Sequence, residues 1–422
     1  MNKRELRKKR KKNRKLYPIY SSIGLDYMFY YGIKVLFLSE VKNITNAQIV
    51  LATSLFALFS IITQIPLTIL IDKIGKRKAL ILGNLINVFS MFLIIICPNF
   101  GFFIFEEFFS SIATSIKGIT EASILDLSIP KFNKKGEFYT KLKRTGYSKY
   151  CYMYATSTVI AGFLYKVNPY IPVVLCMGFC ILATILSCSF VEIKENTQEE
   201  TPIEYVENLK NSFKFIFKSS RLKALLISLG LIWGLMCLYD TYQVILLKEH
   251  GVSSMFIGFI LAIFQVTRGK MSKFSGKLNT RFKNKTLTTM SLMITISFLA
   301  AGLISMLNIN LALLVIAVIL AGITVSSTEG IYQIIKSRYL NNFSNSKILP
   351  KIYAANTIIN NLLRMIIGFI GTLILSRFNI TYTMIIIGIS FTVVIYLIFY
   401  YMKPRVGLKP DQYKVEDIKL KV

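Results

Sequence analysis

Twelve stretches of mostly apolar residues follow one another along this chain, and no other feature limits its fold so strongly. They lie near 18–39, 48–71, 79–98, 102–126, 147–167, 170–191, 223–247, 253–275, 286–307, 310–334, 352–376 and 381–402. A helix crosses a bilayer with about 20 such residues. Soluble cores do not supply so many. A β-barrel is excluded, because its strands alternate apolar and polar over about ten residues. The expected fold is an all-α membrane protein with twelve transmembrane helices. Composition agrees: 54% of residues are hydrophobic and 17% charged, too little charge for a water-facing surface of this size. Disorder is excluded by the same hydrophobicity. The first run follows a basic stretch, as a signal peptide would. It is longer than a signal core and carries Asp26 and Lys34, so it reads as a retained helix.

The charges are sided. If the amino terminus is inside, the inner loops and helix ends hold 43 of the 51 Lys and Arg residues. The opposite side holds Lys42, Lys166, Lys248 and Arg377 alone. Positive residues stay on the cytoplasmic side of a membrane protein. The expectation is therefore a multi-pass protein of the plasma membrane with both termini cytoplasmic. The same siding explains the net charge of +30 without nucleic acid. The run from Lys3 to Lys15 is expected to lie on the anionic inner leaflet. The six cysteines lie in or beside apolar runs without a Cys-x-x-Cys pair, and His250 is the one histidine. No metal site and no cofactor are expected. No G-x-x-x-x-G-K-[ST] loop occurs, which argues against ATP as the driver.

The expected organisation is a basic tail (1–17), a six-helix bundle (18–191), a linker (192–222), a second six-helix bundle (223–402) and a tail (403–422). In the linker, Thr201-Pro202-Ile203-Glu204 reads as a capping box with proline at the first helical position. Ile203, Val206, Leu209, Phe213, Ile216 and Phe217 then recur at helical spacing, predicting an amphipathic helix on the inner membrane surface. A shift of 208 residues lays Thr68–Lys73 on Gly276–Arg281 and Thr120-Glu121 on Thr328-Glu329. That internal repeat predicts two pseudo-symmetric halves around a central site, an arrangement found in transporters.

Ionisable groups inside a bilayer are costly and usually face water, a partner or a site. Here they sit on the first span (Asp26, Lys34), the fourth (Glu106, Glu107, Lys117, Glu121), the seventh (Asp240) and the tenth (Glu329). Helical spacing puts Asp26, Tyr30 and Lys34 on one face. It does the same for Glu107, Ser110, Thr114, Lys117 and Glu121, for Ser326, Glu329 and Gln333, and for Asn356, Asn360 and Arg364. Each stripe reads as a cavity wall or as a buried polar zipper between helices. Lys117 and Glu121 also suit a four-apart ion pair. Arg268 and Arg364 are expected to pair with acids across helices. Carboxyls in a low-dielectric cavity can load and release protons near neutral pH. Glu121, Glu329, Asp240 and Asp26 are the proton-coupling candidates. Tyr30, Lys34, Glu107, Thr114, Lys117, Trp233, Ser326, Gln333 and Arg364 are the cavity and substrate candidates.

The stretch from Thr68 to Leu80 resembles the signature loop between the second and third helices of the major facilitator superfamily, G-x-L-a-D-r-x-G-r-k-x-x-l. Leu70, Asp72, Gly75 and Leu80 match it, Lys73, Lys76 and Arg77 fill its basic positions, and Thr68 departs from its leading glycine. Lys117–Asp126 resembles the fourth helix of exporter-like members, roughly S-G-x-x-E-A-x-x-x-D, with Lys117 departing. The resemblance implies a twelve-helix transporter whose first, fourth, seventh and tenth helices line the cavity. It also implies a gating loop (Asp72, Gly75, Lys76, Arg77, Asp126) in which Asp72 caps a helix N-terminus of the other half and Lys76 or Arg77 pairs with Asp126, unless the basic residues only enforce topology. The fifth span reads Ser157–Tyr165 without proline, unlike drug antiporters of that superfamily. The reading is therefore a monomeric secondary transporter of a small solute, proton-coupled and exporting an amphiphilic or drug-like compound. The alternatives are proton-coupled uptake of a small polar or zwitterionic nutrient and a transport-inactive membrane sensor or scaffold. A membrane-embedded enzyme lacks a nucleophile and base, since His250 has no evident partner.

Overall fold

The computed structural model describes residues 3–130, 135–193, 202–218, 220–282, 286–307, 310–342 and 349–406. All regular elements among them are helices. They run α1 (Lys3–Gly24), α2 (Lys34–Leu36), a π-turn (Phe37–Val41), α3 (Asn46–Ile74), α4 (Lys76–Ile96), α5 (Phe100–Leu127), α6 (Lys135–Val167) and α7 (Tyr170–Cys188). Then come α8 (Pro202–Lys218), α9 (Ser220–Glu249), α10 (Ser254–Phe282), α11 (Thr286–Met306), α12 (Leu311–Asn342), α13 (Leu349–Leu375) and α14 (Ile380–Val406). Eight of these, α3, α4, α7, α9 and α11 to α14, are long and apolar enough to cross a membrane among the described residues. Three of the other four expected spans (α5, α6, α10) bear charged residues within the helix, and the first is broken.

The first span differs from its expected continuous helix over 18–39. α1 begins in the basic tail, runs through Pro18 and stops at Gly24. Residues 25–33 are turns, and the chain then re-enters a helix at Lys34. Asp26 explains part of the break: its Oδ1 accepts the Tyr27 N–H at 3.1 Å, a local bond that competes with the helical ladder. Phe29 has φ +67°, a conformation costly for a bulky residue and incompatible with a right-handed helix. Asp26, Tyr30 and Lys34 therefore do not share a helical face. The tail is also not simply spread on lipid. Asn13 is buried, and its amide both donates to Val191 O and accepts from Val191 N at 2.9 Å. Arg10 Nε donates to Leu127 O at 3.1 Å.

The structure divides into two compact units. Met1–Glu199 with Gly251–Lys270 forms one, and Glu200–His250 with Met271–Val422 the other. In the first, α5 packs along α3 and α4, α4 along α7, and α1 along α6 and α7. The opening half of α10 belongs here because it meets α6 backbone to backbone. A Cβ on Gly258 would lie 2.6 Å from Thr158 O, and one on Gly162 2.7 Å from Ser254 O. Only glycines permit this approach, as in small-residue contacts between membrane helices. In the second unit, α9 packs on α13 and α14, and α11 on α12 and α14. α8 forms where the amphipathic helix was expected, but part of its apolar face is occupied by protein. Ile216 is fully buried against Leu222, Leu226, Leu340, Ala355 and Ile359, while Phe217 stays exposed. Thr201, Ile203, Val206 and Leu209 lie outside the residues whose side chains are described.

Candidate functional site

The charged residues of the first unit gather around the broken stretch. Lys34 Nζ lies 2.6 Å from Glu107 Oε1, with Glu107 almost wholly buried. The ammonium also sits 5.6 Å above the Tyr31 ring and 5.5 Å from the Phe103 ring centre, where π faces attract a cation. Next to Glu107, Glu106 is buried and accepts a hydrogen bond from Ser90 Oγ. Tyr27 Oη stands 3.1 Å from Ser90 Oγ and 2.9 Å from Asn87 Oδ1, so a line of hydroxyls runs from the break to Glu106. The Tyr30 hydroxyl is buried without a hydrogen-bond partner, in the field of Glu106 and Glu107. Asp26 Oδ2 accepts from Tyr150 Oη at 3.1 Å and lies in the field of buried Lys117. Tyr27, Tyr30 and Tyr31 pack ring to ring at 5.6–6.4 Å.

The fourth-span stripe lies on α5 and is unevenly covered. Glu107, Ser110 and Lys117 are buried, Glu121 is half-buried and Thr114 is exposed. Glu121 interacts with the Tyr17 hydroxyl and with Lys143 and Lys117. In the second unit, Trp233 stacks on Tyr332 at 5.7 Å and 16°. Tyr332 Oη donates to Leu229 O at 3.1 Å and accepts from Asn360 Nδ2 at 3.2 Å. Asn360 is thus a polar tie between α13 and α12. Lys336 Nζ lies 5.5 Å from the Tyr332 ring. Ser326 and Glu329 are buried, Gln333 and Arg364 half-buried, and Asp240 Oδ1 accepts from Gln243 Nε2 at 3.3 Å. Arg268 is buried in the first unit.

The loop between α3 and α4 is organised differently from its expected form. Gly75 takes φ +89° and ψ 150°, a region essentially reserved for glycine. Lys76 and Arg77 offer their backbone N–H groups to the Glu192 carboxylate at 3.1 and 2.7 Å. A helix N-terminus has orphan donors and a dipole that favours an anion there. The Arg77 guanidinium donates to Cys188 O at 2.6 Å. Asp126 pairs with Lys135 at 2.7 Å, not with Lys76 or Arg77, because Lys135 opens the next helix nearby. Asp72 is exposed at the end of α3. Glu192 escaped the sequence reading, since one acid after an apolar run carries no spacing signal. Asn87 and Ser90 were also missed, although Asn84, Asn87 and Ser90 recur every three residues along α4.

The profile of the Major Facilitator Superfamily matches residues 16–137, 152–342 and 245–421. No curated protein sequence matches the chain. Among solved structures, a mutant of the nucleoside transporter NupG superposes with TM-score 0.72 at 11% identity, covering 93% of this chain and 100% of that one. A POT family transporter in complex with 5-aminolevulinic acid gives TM-score 0.70 at 13% identity, covering 96% of each chain. Another POT family transporter, bound to a thioalcohol-conjugated peptide, gives 0.64 at 12%, again covering 96% of each. At such identity these structures speak for the fold alone. The chain belongs to the Major Facilitator Superfamily.

Proposed function

We propose that this protein is a proton-coupled secondary transporter, working by alternating access, that exports a small amphiphilic or drug-like solute. The observation that carries the coupling is the mixed-sign cluster of the first unit, with Glu106, Glu107 and Lys117 buried and Asp26 and Lys34 half-buried. Charges kept inside a bilayer mark transport pathways and proton relays. Glu121 and Asp26 in the first unit, with Glu329 and Asp240 in the second, are the candidate proton carriers. Tyr30, Lys34, Glu107, Lys117, Trp233 and Gln333 are candidate substrate contacts. Efflux is supported by the exporter-like sequence of Lys117–Asp126. The one-sided basic loops support a plasma-membrane protein with both termini cytoplasmic. The reading takes the protein as a monomer.

A second reading is proton-coupled uptake of a zwitterionic nutrient. It is favoured by the two signs of charge held side by side at Lys34 and Glu107, which suit an ammonium and a carboxylate on one small molecule. Solute accumulation should be screened in cells with and without the protein, and the solute then followed in proteoliposomes under an imposed pH gradient. Efflux predicts lower accumulation in cells with the protein; uptake predicts higher. Solute flux indifferent to pH would overturn proton coupling, and binding without any flux would identify a sensor. Glu121→Gln is expected to abolish pH-driven flux without affecting membrane insertion. Asp72→Asn is expected to slow turnover with the solute profile unchanged.

A further inference from the structure

We propose that Glu106 holds an exchangeable proton in addition to the carriers named above, and that the neighbouring Lys34–Glu107 ion pair governs its release. The proposal rests on the proton-coupled reading above and names its site, on a residue outside the four carriers considered there.

Glu106 and Glu107 are adjacent, both buried, and meet one cation, Lys34. Lys34 pairs with Glu107; among the described residues Glu106 makes no ion pair. Two buried carboxyls that share one counter-charge are balanced by one proton, as in other sites where like acids crowd together. The hydrogen bond from Ser90 Oγ reaches Glu106 Oε1, which leaves Oε2 to carry the hydrogen. Beyond Ser90, Tyr27 Oη at 3.1 Å extends the hydroxyl line toward the broken first span.

Every group that faces Glu106 fits this assignment. Its own helix supplies Glu107. The re-entrant part of the first span supplies Lys34, and the break supplies Tyr27 and Tyr30. The end of α4 supplies Cys97. α3, which also packs on α5, has no ionisable side chain before Asp72 at its far end. Among the described residues, Lys34 is thus the cation that acts on Glu106. When the Glu106 O–H bond breaks, the electron pair stays on the carboxylate and the proton leaves to water. Lys34 is then shared between two carboxylates, and its hold on Glu107 weakens. A solute that displaces Lys34 from Glu107, or offers its own charge there, changes the count and so moves the proton.

Infrared difference spectroscopy of the full-length protein in lipid, between acidic and alkaline buffer, reads this count directly through the carboxylic-acid carbonyl band. The wild type is expected to show a component that disappears in Glu106→Gln and shifts, without loss, in Ser90→Ala. Glu107→Gln frees Lys34 to neutralise Glu106, so the component is expected to vanish although Glu106 remains. Lys34→Met is expected to add a second component. If Glu106→Gln does not fold, Ser90→Ala and Glu107→Gln still decide the matter. The assignment is overturned if the component survives Glu106→Gln or ignores Glu107→Gln, or if sodium at fixed pH removes it. A component lost only in Glu121→Gln or Asp26→Asn overturns the assignment but leaves proton coupling standing. Flux indifferent to pH in the wild type overturns proton coupling whatever the band does.

Discussion

In the first unit Lys34 meets Glu107 at 2.6 Å beside Glu106, and buried Lys117 lies in the field of Asp26; in the second, Trp233 lies on Tyr332 and Asn360 ties that ring to the next helix. The cluster around Lys34 is held by opposed charges, whereas the one around Tyr332 is held by an aromatic stack, hydrogen bonds to neutral groups and the Lys336 ammonium on the ring face. The two solutions differ in cost. A buried ion pair gains little or nothing over well-packed apolar residues, because both ions lose water. An aromatic pair buries area and adds about 0.5–1.5 kcal/mol of its own. A membrane protein that keeps the costlier arrangement is expected to use it for chemistry. The second unit reads as the stiffer support, and it also carries the acids Asp240 and Glu329.

The comparison can be broken at the ion pair first. Lys34→Met leaves buried Glu107 without its counter-charge, and about 3–5 kcal/mol of stability is expected to go; Glu107→Gln is expected to cost less, because Lys34 turns to Glu106. Lys34→Met combined with Glu107→Met should recover most of that loss. Thermal unfolding in detergent checks both, and a double substitution as damaging as the sum of the singles would refute the pairing. Next comes the neutral network. Tyr332→Phe strands Asn360 Nδ2 and Leu229 O and is expected to cost about 1–3 kcal/mol, with no change in the pH dependence of transport. Gly75→Ala places a Cβ in a glycine-only conformation, costing about 1–3 kcal/mol; slower turnover with unchanged solute preference would accompany it. Asp126→Asn should be the mildest. Asp126 and Lys135 are an exposed pair, worth about 0–1 kcal/mol, and a larger effect would return Asp126 to the gating role that its sequence suggested.

The fold was legible because the bilayer leaves few choices. Runs of twenty apolar residues state helices outright, and the basic loops order them. The segments where legibility failed are those where tertiary contacts override local pattern. The first span reads as a helix by hydropathy, yet Asp26 bonding its neighbour and Phe29 at positive φ break it. The stripe of Asp26, Tyr30 and Lys34 dissolves with that helix, although Lys34 still lands on Glu107. The α5 stripe held its spacing, but burial along it varies from Lys117 to Thr114, which spacing cannot reveal. Glu192 and Asn13 act on backbone groups far away in sequence, and no periodicity announces such partners. Glu106 was visible as a buried acid. What set it apart was that among the described residues it makes no ion pair, and that is a fact of three dimensions.

The most direct test follows protons and solute together in sealed proteoliposomes that contain a pH-sensitive dye. Adding the transported solute to wild-type vesicles is predicted to change the internal pH in step with solute movement. Glu106→Gln vesicles are predicted to show no pH change. Solute movement in the wild type with the internal pH unmoved would contradict the account.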